Sequence, residues 1–265
     1  DILSSGQYIL GKNLLKLEEN FSKYVGANYA VGCNSGTDAL LLSLRAMNIG
    51  PGDEVITSPF SYFATAEVIA LTGAKPVFAD INPHTFNINH KLIEKLITKK
   101  TKAIIPVHLY GQACEITEIR RICRRYNLFL IEDCAQSFGA KMNDQFTGTF
   151  GQFGCFSFFP TKNLGCAGDG GMVVTNSLQK AKILKKLRNH GGLVRNKHEY
   201  IGYNSRLDEI QASILLTKLK IINSINKKRI KIAKKYKKMI DNKNIRLPYQ
   251  SSNAHHVYNQ FTIRV

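Results

Sequence analysis

The stretch AIIPVHLYGQACEITEIRRICRRYNLFLIED, residues 103–133, decides the fold. It holds two apolar runs with a segment of helical period between them. AIIPVHLY (103–110) and LFLIED (128–133) are short and apolar at consecutive positions, the pattern of strands buried on both faces. EITEIRRICRRY (115–126) reads as the helix that joins them. A strand, a helix and a second strand of this kind form a parallel pair with the helix laid across one face. The same alternation runs upstream. EVITSP (54–59) is a strand, FATAEVIALTG (63–73) a helix, PVFAD (76–80) a strand and HKLIEKLI (90–97) a helix. Downstream, GCFSFF (154–159) and GMVVTN (171–176) read as further strands. After Ser177 the chain reads as mostly helical to about Asp241, and HVYNQFTIRV (256–265) as a terminal strand. The expectation is an α/β protein, a mostly parallel sheet with helices on both faces. A domain boundary is expected near residues 222–228, inside the helical stretch.

Composition narrows the class. The 265 residues are 44% apolar and 21% charged, the balance of an ordinary globular protein. No apolar run approaches the roughly 20 residues of a membrane span, and no secretory leader opens the chain. Six scattered cysteines without a CxxC pair read as free thiols of a reducing cytoplasm, not as a disulfide framework or a zinc site. The net charge of +18 is concentrated in residues 218–246, with twelve Lys or Arg against one Asp. Apolar residues recur in that run at helical spacing, so it reads as an amphipathic helix with a solvated lysine face. Neither a membrane nor nucleic acid is expected as partner, because no RNP-like aromatic pattern or zinc-finger spacing accompanies the charge.

Ligands of a parallel α/β sheet gather at the carboxyl ends of its strands, and the residues that carry chemistry fall there. SFFPTKNLGCAGDGG (157–171) puts Lys162 between an aromatic-proline run and four glycines, either a buried oddity or a reactive amine. In NSGTDALLLSLRA (34–46), Ser35, Gly36 and Thr37 precede a helix. They are an ordinary N-cap or, with free N–H groups and a positive dipole end, a phosphate cradle. Asp133 ends an apolar strand and wants a cation or a donor. It could be a metal ligand, a structural hydrogen-bonding group or the partner of a protonated ring nitrogen, with the Gln136 amide nearby. Tyr62 is a core aromatic or a cover for a flat ligand. Taken together with Lys162, these are the parts that bind pyridoxal 5'-phosphate (PLP).

These segments resemble the DegT/DnrJ/EryC1/StrS family of PLP-dependent nucleotide-sugar aminotransferases. The likeness runs through SSGQYILG, NSGTDALLLSL, GPGDEVITSPFSYFATAE, VHLYGQ, IEDCAQSFGA, SFFPTKNLGCAGDGG, NHG, GYNSRLDEIQASIL and HHVYNQFTIRV, in family order. The resemblance implies a PLP-dependent transferase of fold type I, with a seven-stranded, mostly parallel sheet in the large domain. It implies a large domain over residues 1–225 and, over 226–265, the start of a small C-terminal domain, so that the chain looks truncated beside family members. It makes Lys162 the lysine bonded to the cofactor and Asp133 the partner of the pyridine nitrogen. Gln136 would lie against the ring, Gly36, Thr37 and Ser157 would bind the phosphate, and Tyr62 would lie over the ring. Asn204 of the GYN motif would reach the phosphate of a neighbouring subunit, which implies a homodimer with shared active sites. No metal is implied.

The implied reaction moves an amino group from glutamate to a keto sugar carried on a nucleotide, in the cytoplasm, for surface-polysaccharide or amino-sugar biosynthesis. Arg195, Lys197 and Arg206 would suit a diphosphate. Two alternatives within the family are a PLP-dependent sugar deoxygenase, which resembles this chain except for a histidine at the lysine position, and a non-catalytic regulator. Lys162, Asp133 and Thr37 weigh against both. Ser205 stands where members acting on 4-keto sugars often carry an aromatic, and GYNSR resembles the 3-keto group. The expected substrate is a UDP- or dTDP-linked 3-keto sugar. Arg206 would face either an acid at the dimer interface or the carboxylate of a uronic acid, with the UDP-glucuronate type favoured.

Overall fold

The computed structural model describes residues 2–265. A single turn, Ile2–Ser5 (α1), precedes the helix Lys12–Val25 (α2), which buries Leu14, Leu17, Phe21 and Val25. Those four recur every three or four residues, so they form one apolar stripe. Strand Tyr29–Cys33 (β1) runs almost directly into Gly36–Ala46 (α3). Then come Glu54–Thr57 (β2), Ala64–Leu71 (α4), Lys75–Phe78 (β3), His90–Ile93 (α5), Thr101–Ile105 (β4), Ile116–Arg125 (α6) and Phe129–Asp133 (β5). A small hairpin, Lys141–Met142 (β6) and Gln145–Phe146 (β7), leads to Phe153–Ser157 (β8) and Gly171–Thr175 (β9). Leu178–Leu187 (α7), the long helix Glu209–Met239 (α8) and Ala254–His255 (β10) follow.

Seven strands form the main sheet in the order β1-β9-β8-β5-β4-β2-β3. The pairs β2/β3, β2/β4, β4/β5 and β5/β8 are parallel. Strand β9 runs antiparallel to both β8 and β1, so it alone is reversed. Alternate strand residues enter opposite layers, as the pleat requires. Val31, Ala103, Ile105, Ile131, Phe153 and Val173 pack with α3, α4 and α7. Ala30, Phe156, Met172 and Val174 pack with α2 and α8, and Ile104 and Leu130 pack with α6. That two-sided burial is why these strands are apolar at consecutive positions. The seven-stranded, mostly parallel sheet with helices on both faces is the one expected.

Three local readings are corrected. The edge strand β1 was missed because YAVGC carries a glycine in mid-run, and a glycine weakens a strand reading. Here Gly32 serves close approach, since a Cβ on it would lie 2.7 Å from Leu14 Cδ1 and would displace that buried side chain. The run 103–110 is strand only to Ile105, and 109–111 is a 3₁₀ turn with Tyr110 at φ 59°. The stretch after Ser177 is mostly helical as expected, with an irregular loop over residues 188–208 between α7 and α8. The terminal strand 256–265 is absent. Tyr258 has φ 47° and its N–H donates to His256 Nδ1 at 3.0 Å, a local turn that breaks the extended backbone. Helix α8 runs unbroken through residues 222–228, where the domain boundary was expected. All six cysteines are free and buried.

Candidate active site

A cleft of about 480 Å³ opens where the carboxyl ends of β5 and β8 meet the N-terminus of α3. Gly36, Thr37, Tyr62, Asp133, Gln136, Ser157 and Lys162 all line it. Residues more than a hundred positions apart thus meet because their strands are neighbours in the sheet.

Asp133 is the last residue of β5 and only 5% exposed. Its Oδ2 accepts from the Thr65 hydroxyl at 2.8 Å, and its Oδ1 from the Ala135 N–H at 3.0 Å. Burial pushes its carboxyl above the ordinary value. The two hydrogen bonds and the charge of Lys162 pull it back only in part. A buried carboxylate of this kind favours a cationic or proton-bearing partner in the cleft. Beneath it lies a satisfied network. His108 Nδ1 accepts from Cys114 N at 3.1 Å, which leaves Nε2–H to donate to Glu132 at 3.0 Å. Fully buried Glu132 also accepts from the N–H groups of Gly148, Phe150 and Gly151 at 2.7–2.8 Å. His108, Glu132 and Cys134 lie close enough together to suggest a metal centre. The imidazole and the carboxylate, however, are already spent on these partners. Their effect is to hold the loop whose His108 N–H donates to the Asp133 carbonyl at 3.0 Å.

The cradle is both a cap and a lining. Ser35 Oγ accepts from Asp38 N at 3.0 Å, so the hydroxyl is used by the helix. The backbone of Gly36 and Thr37, at the first turn of α3, remains turned to the cleft. A Cβ on Gly36 would lie 2.6 Å from Ser157 Cβ. A Cβ on Gly171 would lie 2.1 Å from the Ser35 carbonyl oxygen. Ser157 and Gly171 are register partners across β8 and β9. The helix N-terminus is therefore pressed onto this strand pair, and only glycine allows the approach.

Lys162 sits in the loop after β8, beside buried Phe158 and half-exposed Phe159. Burial pushes its amine below the ordinary lysine value, and the Asp133 carboxylate opposes the change. A depressed lysine holds more of its free base near neutral pH, which makes it a nucleophile and a proton carrier. Gln136 Oε1 accepts from Tyr110 N at 2.7 Å, so its amide NH₂ is left as the donor toward the cleft. Tyr62 is 77% exposed at the mouth and is no core aromatic.

Asn204 and Arg206 do not line this cleft. Asn204 is exposed. Arg206 Nη1 reaches Asn189 Oδ1 at 3.4 Å, and its buried Nε has no partner among the described residues. Arg195 and Lys197 are exposed in the 188–208 loop. Ser205 is fully buried, and its hydroxyl faces this chain's own Asn34 N–H at 3.4 Å. Its small side chain packs behind the chain's own cradle. Sequence reasoning missed Thr65. A buried threonine inside FATAEVIALTG gives no signal until α4 is seen to pack over β5.

The residues present suit PLP. Glycine clears a helix N-terminus for a phosphate, a desolvated amine faces the same space, and a buried carboxylate stands ready for a protonated ring nitrogen.

A family model described as the DegT/DnrJ/EryC1/StrS aminotransferase family matches residues 1–265. A UDP-N-acetyl-3-dehydro-α-D-glucosamine 3-aminotransferase from Acidithiobacillus ferrooxidans is 46% identical over 264 residues, covering 100% of this chain and 72% of its own. A pleiotropic regulatory protein from Geobacillus stearothermophilus is 45% identical over 267 residues, with coverages of 100% and 72%. Among solved structures, S. venezuelae DesV in complex with a ketimine intermediate superposes with a TM-score of 0.97 at 41% identity, over 99% of this chain and 71% of that one.

Proposed function

The chain belongs to the DegT/DnrJ/EryC1/StrS aminotransferase family, whose members use PLP, and from that premise we propose that its cleft moves an amino group from glutamate to C3 of a UDP- or dTDP-linked keto sugar. One observation carries the reading: a desolvated Lys162 amine and a buried Asp133 carboxylate face the same cleft, whose floor includes the N-terminus of α3. Bound there, PLP supplies an aldehyde that bonds amines and a ring that takes up the electron pair left when a proton departs.

The chain's own groups do the rest. The N–H groups of Gly36 and Thr37 and the Ser157 hydroxyl bind the phosphate, aided by the helix dipole. The Asp133 carboxylate, aimed by Thr65 and Ala135, would hold a proton on the ring nitrogen. Gln136 would offer its free amide nitrogen as a donor to the ring. Lys162 Nζ would hold the cofactor covalently, and its amine, when free, would carry a proton at the reacting substrate carbon. Tyr62 would cover the ring. The exposed Asn204, outside its own cleft, supports its assignment to the phosphate of a partner subunit. The large exposed apolar side chains Tyr62, Phe63, Val194 and Ile201 support a homodimer. The spare donors of Arg206, which lies outside this chain's own cleft, would suit an anionic group of a substrate held in a partner subunit's cleft.

The 3-keto preference rests on GYNSR and on the C3 activity named for the A. ferrooxidans relative. The name of the G. stearothermophilus relative favours a regulatory role as the second reading, but a regulator has no need of a desolvated amine beside a buried carboxylate. No helix among the described residues is long and apolar enough to cross a membrane, and cytoplasmic work on a soluble nucleotide sugar fits that.

The test is spectroscopic and kinetic. Purified protein reconstituted with PLP should show a visible band that Lys162→Ala lacks. It should also aminate a 3-keto nucleotide sugar in preference to the matched 4-keto sugar, with glutamate as donor. A band unchanged in Lys162→Ala removes the lysine assignment, and a preference for the 4-keto sugar overturns the C3 reading. Amination of a uronate and its neutral counterpart by Arg206→Ala then decides whether that guanidinium reads a carboxylate.

A further inference from the structure

The loop after Lys162 carries no strand over residues 163–168; Cys166 N–H donates to the Phe158 carbonyl at 2.8 Å, and α8 holds the loop at regular intervals from one side. Asn226 of α8 accepts from Asn163 Nδ2 through its Oδ1 at 2.7 Å and donates to the Phe138 carbonyl through its Nδ2 at 3.1 Å. Eight residues earlier, Lys218 Nζ donates to the Gly165 carbonyl at 2.6 Å. Seven residues earlier again, Gln211 brackets Ala167: its Oε1 accepts from Ala167 N at 2.8 Å and its Nε2 donates to Ala167 O at 3.3 Å. Steps of seven and eight are about two helical turns, so these three side chains share one face of α8. They meet alternate residues of the loop, 163, 165 and 167, with the loop running opposite to the helix.

The contact nearest the chemistry is also the most enclosed. Asn163 and Asn226 are 6% and 5% exposed. A buried amide pair is strongly directional, and leaving either partner unmatched is costly. The fit is tight from the other side as well, because a Cβ on Gly139 would lie 2.5 Å from Asn226 Nδ2. Asn163 Nδ2 also reaches the Val257 carbonyl at 3.4 Å. One turn on from Asn226, Arg229 Nη1 donates to the Asn259 carbonyl at 3.3 Å. The next residue, Gln260, lines the cleft. Asn163 is bonded in the chain to Lys162, so whatever fixes its backbone fixes the direction in which the lysine leaves the loop.

We propose that Gln211, Lys218 and Asn226 form a polar splint on α8 that positions the Lys162 amine, acting through the loop 163–167. Nothing in their types suggests a catalytic role, and none lines the cleft; they act through the loop, Asn226 at Asn163, Lys218 at Gly165 and Gln211 at Ala167. The proposal rests on the reading above that Lys162 bonds PLP.

The test uses the full chain reconstituted with PLP. It reads two quantities, the pH midpoint of the visible band and the split between kcat and KM in glutamate turnover. Wild type and Lys162→Ala first establish that the band belongs to Lys162. Loosening the loop lets water reach the amine, so Asn226→Ala and Lys218→Met should raise the midpoint by roughly half a unit or more. They should cut kcat by about 10- to 100-fold, the scale of a small misplacement, with KM little changed. Lys218→Arg keeps a donor for the Gly165 carbonyl and should restore the wild-type midpoint. If Asn226→Ala does not fold, the half-exposed Lys218 decides. A folded Lys218→Met with wild-type midpoint and kcat, or a shift that Lys218→Arg leaves in place, overturns the splint while the lysine assignment stands. Absence of a Lys162-dependent band in wild type overturns both.

Discussion

Gly36→Ala adds one methyl group at the point where α3 meets the strand pair β8/β9. The new Cβ would lie 2.6 Å from Ser157 Cβ and 3.1 Å from its Cα and Oγ. Ordinary contact begins at 3.4 Å, so helix and strand must part by about 0.8 Å. The strain falls on space alone, because Gly36 has no positive φ. Overpacking of this kind costs about 1–3 kcal/mol, which for a chain of this size lowers Tm by roughly 2–12 °C. The same displacement carries the Gly36 and Thr37 N–H groups away from a phosphate. An N–H···O bond stretched by that much leaves the hydrogen-bonding range, and a charge-assisted bond is worth about 1.5–3 kcal/mol. PLP affinity should therefore fall about 10- to 100-fold. The assay is equilibrium binding of PLP to the apoprotein, with thermal unfolding in parallel. Adding Ser157→Gly removes the Cβ and Oγ that clash, so the double variant should regain much of the lost Tm. It should not regain full affinity if, as proposed, the Ser157 hydroxyl is itself a phosphate donor. Wild-type affinity and Tm in Gly36→Ala would refute the reasoning, since the close approach would then be neither tight nor tied to the cofactor.

Asp133→Asn should keep most of its PLP, because the cradle is untouched, but lose about a hundredfold or more in kcat as the charge at the ring nitrogen disappears; near wild-type turnover would end that role. Lys162→Met should stabilise the apoprotein at neutral pH by a few degrees in Tm. Burial holds the Lys162 amine below its ordinary value, so the unfolded chain binds the extra proton and wild-type stability rises with pH through that window. The advantage of the methionine variant should accordingly shrink toward pH 10, and an advantage independent of pH would contradict the assignment. His256 is pushed down to about 3, chiefly by burial and then by Lys237, while its Nδ1 accepts from Tyr258 N. Its folded value is depressed, so it withdraws stability as pH falls below the ordinary histidine range toward 3. His256→Asn, which keeps an acceptor for that N–H, should flatten acid unfolding monitored by circular dichroism, and an unchanged acid limb would show that other groups set it.

Much of this protein was written in local pattern. Consecutive apolar residues in 103–105 and 128–133 mean strands with both faces covered, and the helical period between them fixes a parallel crossover. Lys162, Asp133 and the Ser35–Thr37 turn stood out because their chemistry conflicts with their apolar surroundings. Patterns failed where the deciding contact is distant in sequence. Gly32 obscured β1, yet it keeps the strand close against Leu14 across the layer. HVYNQFTIRV alternates like a strand, but the His256–Tyr258 turn and Arg229 hold it irregular. Ser205 gave no sign in the sequence that it packs behind its own cradle. Thr65, Glu132 and the α8 residues that hold the lysine loop were invisible, because a polar side chain reveals its work only through its partner. The sequence by itself determined the layers, the strand-end positions of the reactive groups and the chemistry they favour, since burial and periodicity are properties of short segments. Only the tertiary structure decided how the reactive groups are aimed, because aim depends on hydrogen bonds that include partners distant in the chain, as in Thr65 to Asp133 and Asn163 to Asn226.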